Sequence, residues 1–435
     1  MLTDETLNSV RSEIFVRLSQ QNPLALQDLA NHWGVFRQTA VEALNDRFFH
    51  EHQAVLDEAL DAVMRDPYGF GPVFELISDK TVTDIWINNY RDILYEGESG
   101  RRVWPRGFGS EEAVRRLAER LALASGRRAD ETNPAVDCRL FDGSRVSVML
   151  APLPSVRGTS ITIRKFPRLF TLEDLAKRKL FPAEFIRLFE LAVKARLNVA
   201  VAGGMGSGKN TFMTALLLCA GKDENLVLVE DPAESRLGLP DPERPDLPQP
   251  FVRVYEPRPA NAEGRGGVSL EDIFERALRQ RPDRLIVSEA RSGVTARYAL
   301  EAMDLGHPGS MFTVHAEAPE EVPFRLARLL GGVNPGNLQR AAALEIVFFL
   351  AQLKAWDGRP AHRRLLDICE VRKKGDGTPE VVPLFAFDFR GYAEEGEPVG
   401  ELRFVGNKPE FLGKRKVGLF LTGGEKEELE KFFLG

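Results

Sequence analysis

The chain has 435 residues, of which 43% are hydrophobic and 28% are charged, a composition typical of a folded globular protein. At about 150 residues per domain this length predicts about three domains and excludes a peptide-sized binder, and the composition excludes a mainly disordered chain. The formal net charge of -6 gives no general attraction to phosphate backbones, so we expect no direct nucleic-acid binding without a local basic surface.

The three cysteines, Cys138, Cys219 and Cys369, lie too far apart in sequence to predict a disulfide or a metal site. We expect reduced thiols in a cytosolic protein. The first residues lack the basic start and apolar core of a signal peptide, and no apolar run approaches the roughly 20 residues that span a bilayer. We therefore expect that any membrane contact is made through partners.

The first part of the chain predicts two domains. Residues 1–66 carry apolar side chains at helical spacing and predict an N-terminal helical domain, which ends before Pro67 because proline disfavours helix at the preceding residue. In residues 67–166, short β-rich segments surround one charged amphipathic helix that begins after its capping residue, Ser110. This pattern predicts a small α+β domain.

After a linker at residues 167–185, the pattern of apolar residues changes. In residues 186–355 apolar strands alternate with helical segments, which predicts an α/β domain with a parallel central sheet. A loop at residues 239–267 holds seven prolines, and both a functional and a disordered loop are compatible with that composition. Residues 356–435 are rich in strand-forming residues and predict a C-terminal appendage.

An apolar strand leads directly into the glycine-rich sequence GGMGSGKNT, and a helix-compatible segment follows it. In such a loop glycines turn backbone N–H groups toward a phosphate, and the helix start adds its positive dipole end. Lys209 reaches the outer phosphates. The predicted contacts to the nucleotide are Gly203, Gly204, Met205, Gly206, Ser207, Gly208, Lys209, Asn210 and Thr211.

The residue after the lysine departs from the usual loop pattern. A Ser or Thr hydroxyl normally ligates Mg²⁺ there, but this chain has Asn210, and Thr211 points about 100° away around the helix. The Asn210 amide oxygen offers a neutral ligand on a longer side chain. We predict Asn210 and Asp231 as the metal ligands, and the pattern favours nucleotide binding over fast hydrolysis.

Carboxylates follow two apolar strands, at the sheet edge where α/β proteins bind ligands. Glu230 and Asp231 follow one strand and Glu289 follows another, so either glutamate is a candidate to orient and deprotonate the attacking water. His315 ends a further strand, where a phosphate contact and a purely structural histidine are both possible. With Lys209, these two glutamates and His315 are the predicted catalytic residues.

Arginines also concentrate in the α+β domain, and guanidinium groups suit phosphate charge. Four candidates for a phosphate contact lie there: Arg127, Arg128, Arg139 and Arg145.

Several segments in the same order resemble the type II/type IV secretion ATPase superfamily, most closely its tight-adherence pilus branch of the CpaF type. They include GRRADETNPAVDCRLFDGSRV, NVAVAGGMGSGKNT, VEDPAESRL and GHPGSMFTVHA, within residues 68 to about 330. The resemblance implies a RecA-like P-loop domain in a homo-hexamer that uses ATP and Mg²⁺. It implies pilus assembly or protein secretion through an inner-membrane platform protein, at the cytoplasmic face of that membrane.

The resemblance also implies a nucleotide between the α+β and RecA-like domains, near the four arginines, and a histidine box at His307 and His315. Two motifs depart from the family pattern: in the loop Met205 and Asn210 replace threonines, and later in the chain Val294 replaces the glutamate of the usual Gly-Gly-Glu. The departures leave a second function open, a hydrolysis-impaired nucleotide-binding regulatory or scaffolding paralogue. A nucleic-acid motor rests on fold analogy alone.

Overall fold

The protein is described from a computed structural model, and its chain divides into two compact units, Met1–Pro167 and Arg168–Gly435. The domain boundaries expected within these units remain predictions. The structure describes residues 3–22, 25–26, 32–48, 51, 53–97, 100–140, 142–152, 155–165, 169–239, 244, 246–258, 265–356, 360–394 and 396–434.

Two helices of the first unit begin at polar capping residues. Thr3 accepts a hydrogen bond from the backbone N–H of Thr6 at the first helix, and Ser110 accepts one from Ala113, which confirms the predicted cap. The α-helices are α1 (Asp4–Gln21), α2 (Trp33–Arg47), α3 (Gln53–Arg65), α4 (Phe74–Ser78) and α5 (Glu111–Ala124), and a 3₁₀ helix spans Gly71–Val73.

The sheet of the first unit has six antiparallel strands in the order β3-β2-β1-β6-β5-β4. Its strands are β1 (Val82–Ile87), β2 (Ile93–Gly97), β3 (Gly100–Val103), β4 (Ala135–Arg139), β5 (Arg145–Met149) and β6 (Ser160–Arg164). The buried face of α5 belongs to the same apolar core as this sheet, and Val114, Leu117 and Leu121 are fully buried. Sequence analysis did not identify β3, whose side chains are exposed throughout, or β4.

The second unit contains helices on both faces of a larger sheet. Its α-helices are α6 (Leu172–Lys177), α7 (Ile186–Lys194), α8 (Lys209–Leu217), α9 (Leu270–Leu278), α10 (Gly293–Asp304), α11 (Glu321–Leu329), α12 (Pro335–Ala341), α13 (Arg415–Phe420) and α14 (Gly423–Lys431). Short 3₁₀ helices span Ala183–Phe185 and Phe411–Gly413. In the part of the chain that the structure describes, no helix has both the length and the apolar character needed to cross a membrane.

The larger sheet has nine strands in the order β15-β14-β13-β12-β7-β11-β10-β8-β9. Its strands are β7 (Val199–Gly203), β8 (Asn225–Val229), β9 (Phe251–Tyr255), β10 (Arg284–Val287), β11 (Met311–His315), β12 (Ile346–Lys354), β13 (Pro360–Lys373), β14 (Pro379–Tyr392) and β15 (Pro398–Phe404). The neighbours from β12 to β9 pair in parallel, and β12 to β15 pair antiparallel.

Two sequence-based expectations about this sheet need correction. The strands of residues 186–355 pair in parallel, but the sheet as a whole is mixed, because β13 to β15 of the expected C-terminal appendage add three antiparallel strands to it. The proline-rich loop contains a strand, β9, which pairs with β8. Residues 240–243, 245 and 259–264 of this loop lie outside the described residues. The α/β class that the alternating pattern predicts is confirmed.

Both faces of the central strands are buried, which accounts for their continuous apolar sequences. On one face Phe189 of α7, Phe212 of α8 and Phe348 of β12 meet edge to face, with ring centroids 5.3 to 5.4 Å apart. On the other face Phe274 of α9 stacks on Tyr298 of α10. This packing holds the start of α8 at the carboxyl end of β7, where the glycine-rich loop lies.

Candidate functional site

The glycine-rich loop leaves the sheet at Gly203, the last residue of β7. In the strand register Gly203 lies between His315 of β11 and Leu350 of β12. Residues other than glycine rarely adopt its φ of 148°, and a Cβ atom at this position would lie 2.0 Å from the carbonyl oxygen of Leu350. Only glycine therefore fits where the chain leaves the centre of the sheet.

Two further glycines give the loop its shape. Gly206 and Gly208 have φ values of 72° and 93°, in the left-handed region that glycine adopts without steric cost. Gly208 is the N-cap of α8 and provides no side-chain cap. The first N–H groups of a helix lack intrahelical partners, so this helix start can bind an anion such as a phosphate.

Lys209 folds back over the loop. Its ammonium group donates hydrogen bonds to the carbonyl oxygens of Gly203, at 3.0 Å, and Gly204, at 2.8 Å. Burial lowers the pKa of Lys209, and the charge of Glu289 opposes this shift. Ser207 is buried and donates to the Gly204 carbonyl oxygen at 2.9 Å. The loop thus closes on itself through contacts that a phosphate tail can replace.

The two candidate glutamates have different surroundings. Glu230, directly after β8, is buried, and both of its carboxylate oxygens accept the backbone N–H of Ser235 at 3.2 Å. Glu289, two residues after β10, is half-buried, and its charge acts on Lys209. In the strand order β10 is one strand closer to β7 than β8 is. The structure therefore brings Glu289 toward the loop lysine and gives Glu230 a backbone partner.

The predicted metal ligands fit Mg²⁺ unequally. Asn210 lies half-buried in the first turn of α8, beside the loop, where its amide oxygen suits a hard cation. Thr211 follows in the same turn and is also half-buried. Asp231 forms an ion pair with Arg291, so its carboxylate is already engaged. Among the described residues no group of three or more His, Cys, Asp or Glu could hold a metal.

The two histidines also differ. His315 is exposed at the end of β11 and is the register partner of Gly203, so it lies beside the loop. His307 instead has its Nδ1 2.7 Å from the carbonyl oxygen of Pro282, a contact in which the ring N–H donates. His315 is therefore the histidine that can contact a ligand on the loop, whereas His307 makes a local backbone contact.

The four predicted arginines lie in the first unit, and their role toward a nucleotide remains a prediction. Arg139 and Arg145 are register partners on β4 and β5 and are both half-buried. Arg127 and Arg128 are exposed after α5, and Arg128 lies 3.9 Å from Asp130.

Sequence analysis missed two polar residues that border the loop. Gln352 of β12 and Arg363 of β13 are cross-strand partners and are both exposed. A Cβ built on Gly208 would lie 3.3 Å from Cδ of Arg363, and one built on Gly206 would lie 3.8 Å from Oε1 of Gln352. No local motif marks them, because their position depends on how β12 and β13 pair with β7.

Comparison with known proteins gives consistent results. Residues 66–353 match the family described as "Type II/IV secretion system protein". The chain is 34% identical over 345 residues to a putative conjugal transfer protein of Mycobacterium tuberculosis, covering 77% of this chain and 93% of that protein. It is 27% identical over 330 residues to the type IV secretion system protein VirB11 of Bartonella henselae, covering 66% of this chain and 88% of VirB11.

Among solved structures, the chain is similar to the ATPase DotB of Yersinia pseudotuberculosis. The TM-score is 0.50 at 18% identity, and the match covers 73% of this chain and 80% of that one. At this identity the likeness concerns the fold alone.

Proposed function

The chain belongs to the type II/IV secretion system protein family, and we propose that it is a motor that binds and hydrolyses ATP to drive pilus assembly or protein secretion. The observation that carries this proposal is the loop between β7 and α8, where Lys209 lies across two loop carbonyl groups within the influence of the Glu289 charge. A phosphate-binding loop with its lysine, and a residue that positions the attacking water, are recurring parts of sites that transfer a phosphoryl group to water.

In this proposal the β- and γ-phosphates of ATP replace the carbonyl groups of Gly203 and Gly204 as partners of Lys209. The N–H groups at the start of α8 donate to phosphate oxygens. Glu289 orients a water molecule and accepts a proton from it as the water oxygen attacks the γ-phosphorus. The bond between the γ-phosphorus and the bridging oxygen breaks, and ADP leaves with that oxygen. Asn210 would hold Mg²⁺ together with Asp231, once that carboxylate leaves its ion pair with Arg291, and the metal would neutralise charge on the phosphates.

We further propose the cellular setting that the sequence resemblance implies. The second unit acts as a RecA-like domain within a homo-hexamer of the tight-adherence, CpaF type. The ring works at the cytoplasmic face of the inner membrane, on a platform protein and without direct nucleic-acid contact. Support comes from the ordered motifs and from relatives whose names refer to conjugal transfer and type IV secretion. His315 and the arginines of the first unit would complete the contacts to the γ-phosphate.

The test is a comparison of nucleotide binding and phosphate release between the wild-type protein and Lys209→Ala. Removing the ammonium group deletes charge-assisted hydrogen bonds, so we expect about 10- to 100-fold weaker ADP binding and loss of phosphate release. Lys222→Ala, at an exposed turn before β8, is the matched control. Equal binding and turnover in all three proteins would refute the proposal.

A second function is supported by Asn210 and Val294, where the family pattern has a threonine and a glutamate. A hydrolysis-impaired paralogue would bind nucleotide and regulate or scaffold an active ring. Single-turnover measurements separate the two functions, because the motor converts bound ATP to ADP whereas the paralogue retains it as ATP over many hours.

A further inference from the structure

The hairpin formed by β12 and β13 extends beyond the end of the phosphate loop strand. Leu350 of β12 is in register with Gly203, the last residue of β7, but β12 continues to Lys354. Because β12 and β7 are parallel, the residues after Leu350 lie past the carboxyl edge of the sheet, on the side where the loop emerges. The first part of β13 returns along the same stretch, antiparallel to β12.

Gln352 and Arg363 are the pair in this hairpin that faces the loop. They are directly opposite each other in the register, and cross-strand partners point to the same face of a sheet. Both side chains are exposed, whereas the next residue, Arg364, is buried and donates to the carbonyl oxygen of Arg363 at 3.0 Å. Alternation along β13 therefore gives Arg364 an internal role and places Arg363 on the outer face.

The distances place this face against the loop backbone. The Cδ atom of Arg363 is 3.3 Å from the Cβ position of Gly208, the N-cap of α8, and Oε1 of Gln352 is 3.8 Å from that of Gly206. A larger residue at Gly208 would press on the Arg363 side chain. The pair thus borders the loop at the start of α8, where the positive end of the helix dipole stabilises a bound anion.

The pair approaches the loop from the opposite side to the predicted catalytic residues. In the strand order β12 and β13 lie on one side of β7, and β11 and β10, which carry His315 and Glu289, lie on the other. A phosphate tail on the loop would therefore have the catalytic groups on one flank and the Gln352–Arg363 pair on the other.

We propose that Arg363 binds the phosphate tail of the nucleotide, with Gln352 beside it as a neutral hydrogen-bonding partner; this inference rests on the proposed function. A guanidinium group offers several N–H donors in one plane and pairs with phosphate oxygens at two points. The C-terminal hairpin then supplies a positive charge in addition to Lys209 from within the same unit, and binding of nucleotide depends on the sheet that β13 extends.

The experiment measures the affinity for ADP and for inorganic triphosphate, by competition with a fluorescent ADP analogue. The variants are Arg363→Gln, which removes the charge and keeps the stem, Arg363→Lys and Gln352→Ala. Arg390→Gln is the control, an exposed arginine of β14 in the same sheet that pairs with Glu401. Circular dichroism and thermal melting establish that each variant folds.

We expect Arg363→Gln to weaken the binding of both ADP and triphosphate by about 10- to 100-fold, because it removes a charge-assisted hydrogen bond. Arg363→Lys should restore part of the affinity, Gln352→Ala should cost less, and Arg390→Gln should bind as wild type does. Wild-type affinity for ADP in a folded Arg363→Gln protein would overturn the inference. Weaker binding of ADP with unchanged binding of triphosphate would also overturn it, since the arginine would then contact the nucleoside. Failure of the wild-type protein to bind either ligand would instead refute the proposed function.

Discussion

Charged residues lie at both ends of strand β10, but they differ in burial and in their partners. Arg284, its first residue, is fully buried. Its guanidinium group donates two hydrogen bonds to the carboxylate of Glu224, at 2.6 and 3.0 Å, and one to the carbonyl oxygen of Val193, at 2.9 Å. Burial raises the pKa of Glu224, but hydrogen bonds and charge from Arg284 outweigh it and lower the pKa below its usual value. Glu289, beyond the last residue of the strand, is half-buried and acts on Lys209 through its charge.

Strand β12 repeats the contrast. Before its amino end, buried Glu345 accepts from Lys414 and Lys416 and from the backbone N–H of Asn198. Near its carboxyl end, Gln352 is exposed beside the loop. Charges at the amino edge of the sheet thus neutralise one another within the chain, because an uncompensated buried charge is strongly destabilising. At the carboxyl edge Glu289 is half-buried and Gln352 is exposed. Substitutions at the amino edge should therefore affect stability, whereas substitutions of these two residues should affect ligand binding and turnover.

The largest effect is expected at the amino edge. Arg284→Met removes the bidentate partner of Glu224, which keeps its ion pair with Arg196 at 3.2 Å. Breaking a buried pair from one side costs about 3–5 kcal/mol of unfolding free energy, and because Arg196 remains we expect a loss of about 3 kcal/mol. Urea denaturation of the nucleotide-free protein measures this loss, with Arg279→Met, at an exposed arginine after α9, as the control. ADP affinity of the folded fraction should stay at the wild-type value. A loss of stability no larger than that of the control would contradict the contrast between the two edges.

At the carboxyl edge the next effect should appear in turnover. Glu289→Gln removes the proposed base, so we expect about 100-fold slower phosphate release with ADP affinity retained, within the range for general base catalysis. Glu230→Gln is the matched comparison, since its carboxylate already accepts the Ser235 N–H. The effect of Glu230→Gln should be smaller and should appear in stability. If Glu230→Gln slowed phosphate release more than Glu289→Gln did, the assignment of the base would be reversed.

Local patterns predicted the parts of the fold that local sequence encodes. The apolar run of β7, the glycines after it and the helix that follows are adjacent in the chain, so the loop was predicted residue by residue. Ser110 was recognised as a helix cap for the same reason. Strands β3, β4 and β9 were missed. The side chains of β3 are all exposed and the burial of β9 does not alternate, whereas β4 alternates but is short and carries Asp137 and Arg139. Tertiary pairing, not local periodicity, makes them strands.

Features that depend on strand order lay beyond the sequence. Glu230 and Glu289 follow similar apolar strands, and only the order of β8, β10 and β11 shows that Glu289 is nearer the loop. The pairing of Gln352 with Arg363 depends on the register of a hairpin that begins more than a hundred residues after the loop. The basic residues Lys414 and Lys416 gave no sign in sequence that Glu345 would neutralise them.

The smallest effect concerns Asn210 and decides between the two proposed functions. If the amide oxygen of Asn210 already ligates Mg²⁺, Asn210→Thr exchanges one oxygen ligand for another, and turnover should change by less than about threefold. Asn210→Ala removes the ligand and should raise the Mg²⁺ concentration for half-maximal turnover by about tenfold, as lost metal contacts do. Phosphate release measured across a Mg²⁺ titration separates the variants. A rise of about 100-fold in Asn210→Thr would mean that asparagine blocks the metal, and the chain would then be the hydrolysis-impaired paralogue, because restoring one hydroxyl would have repaired an otherwise complete site.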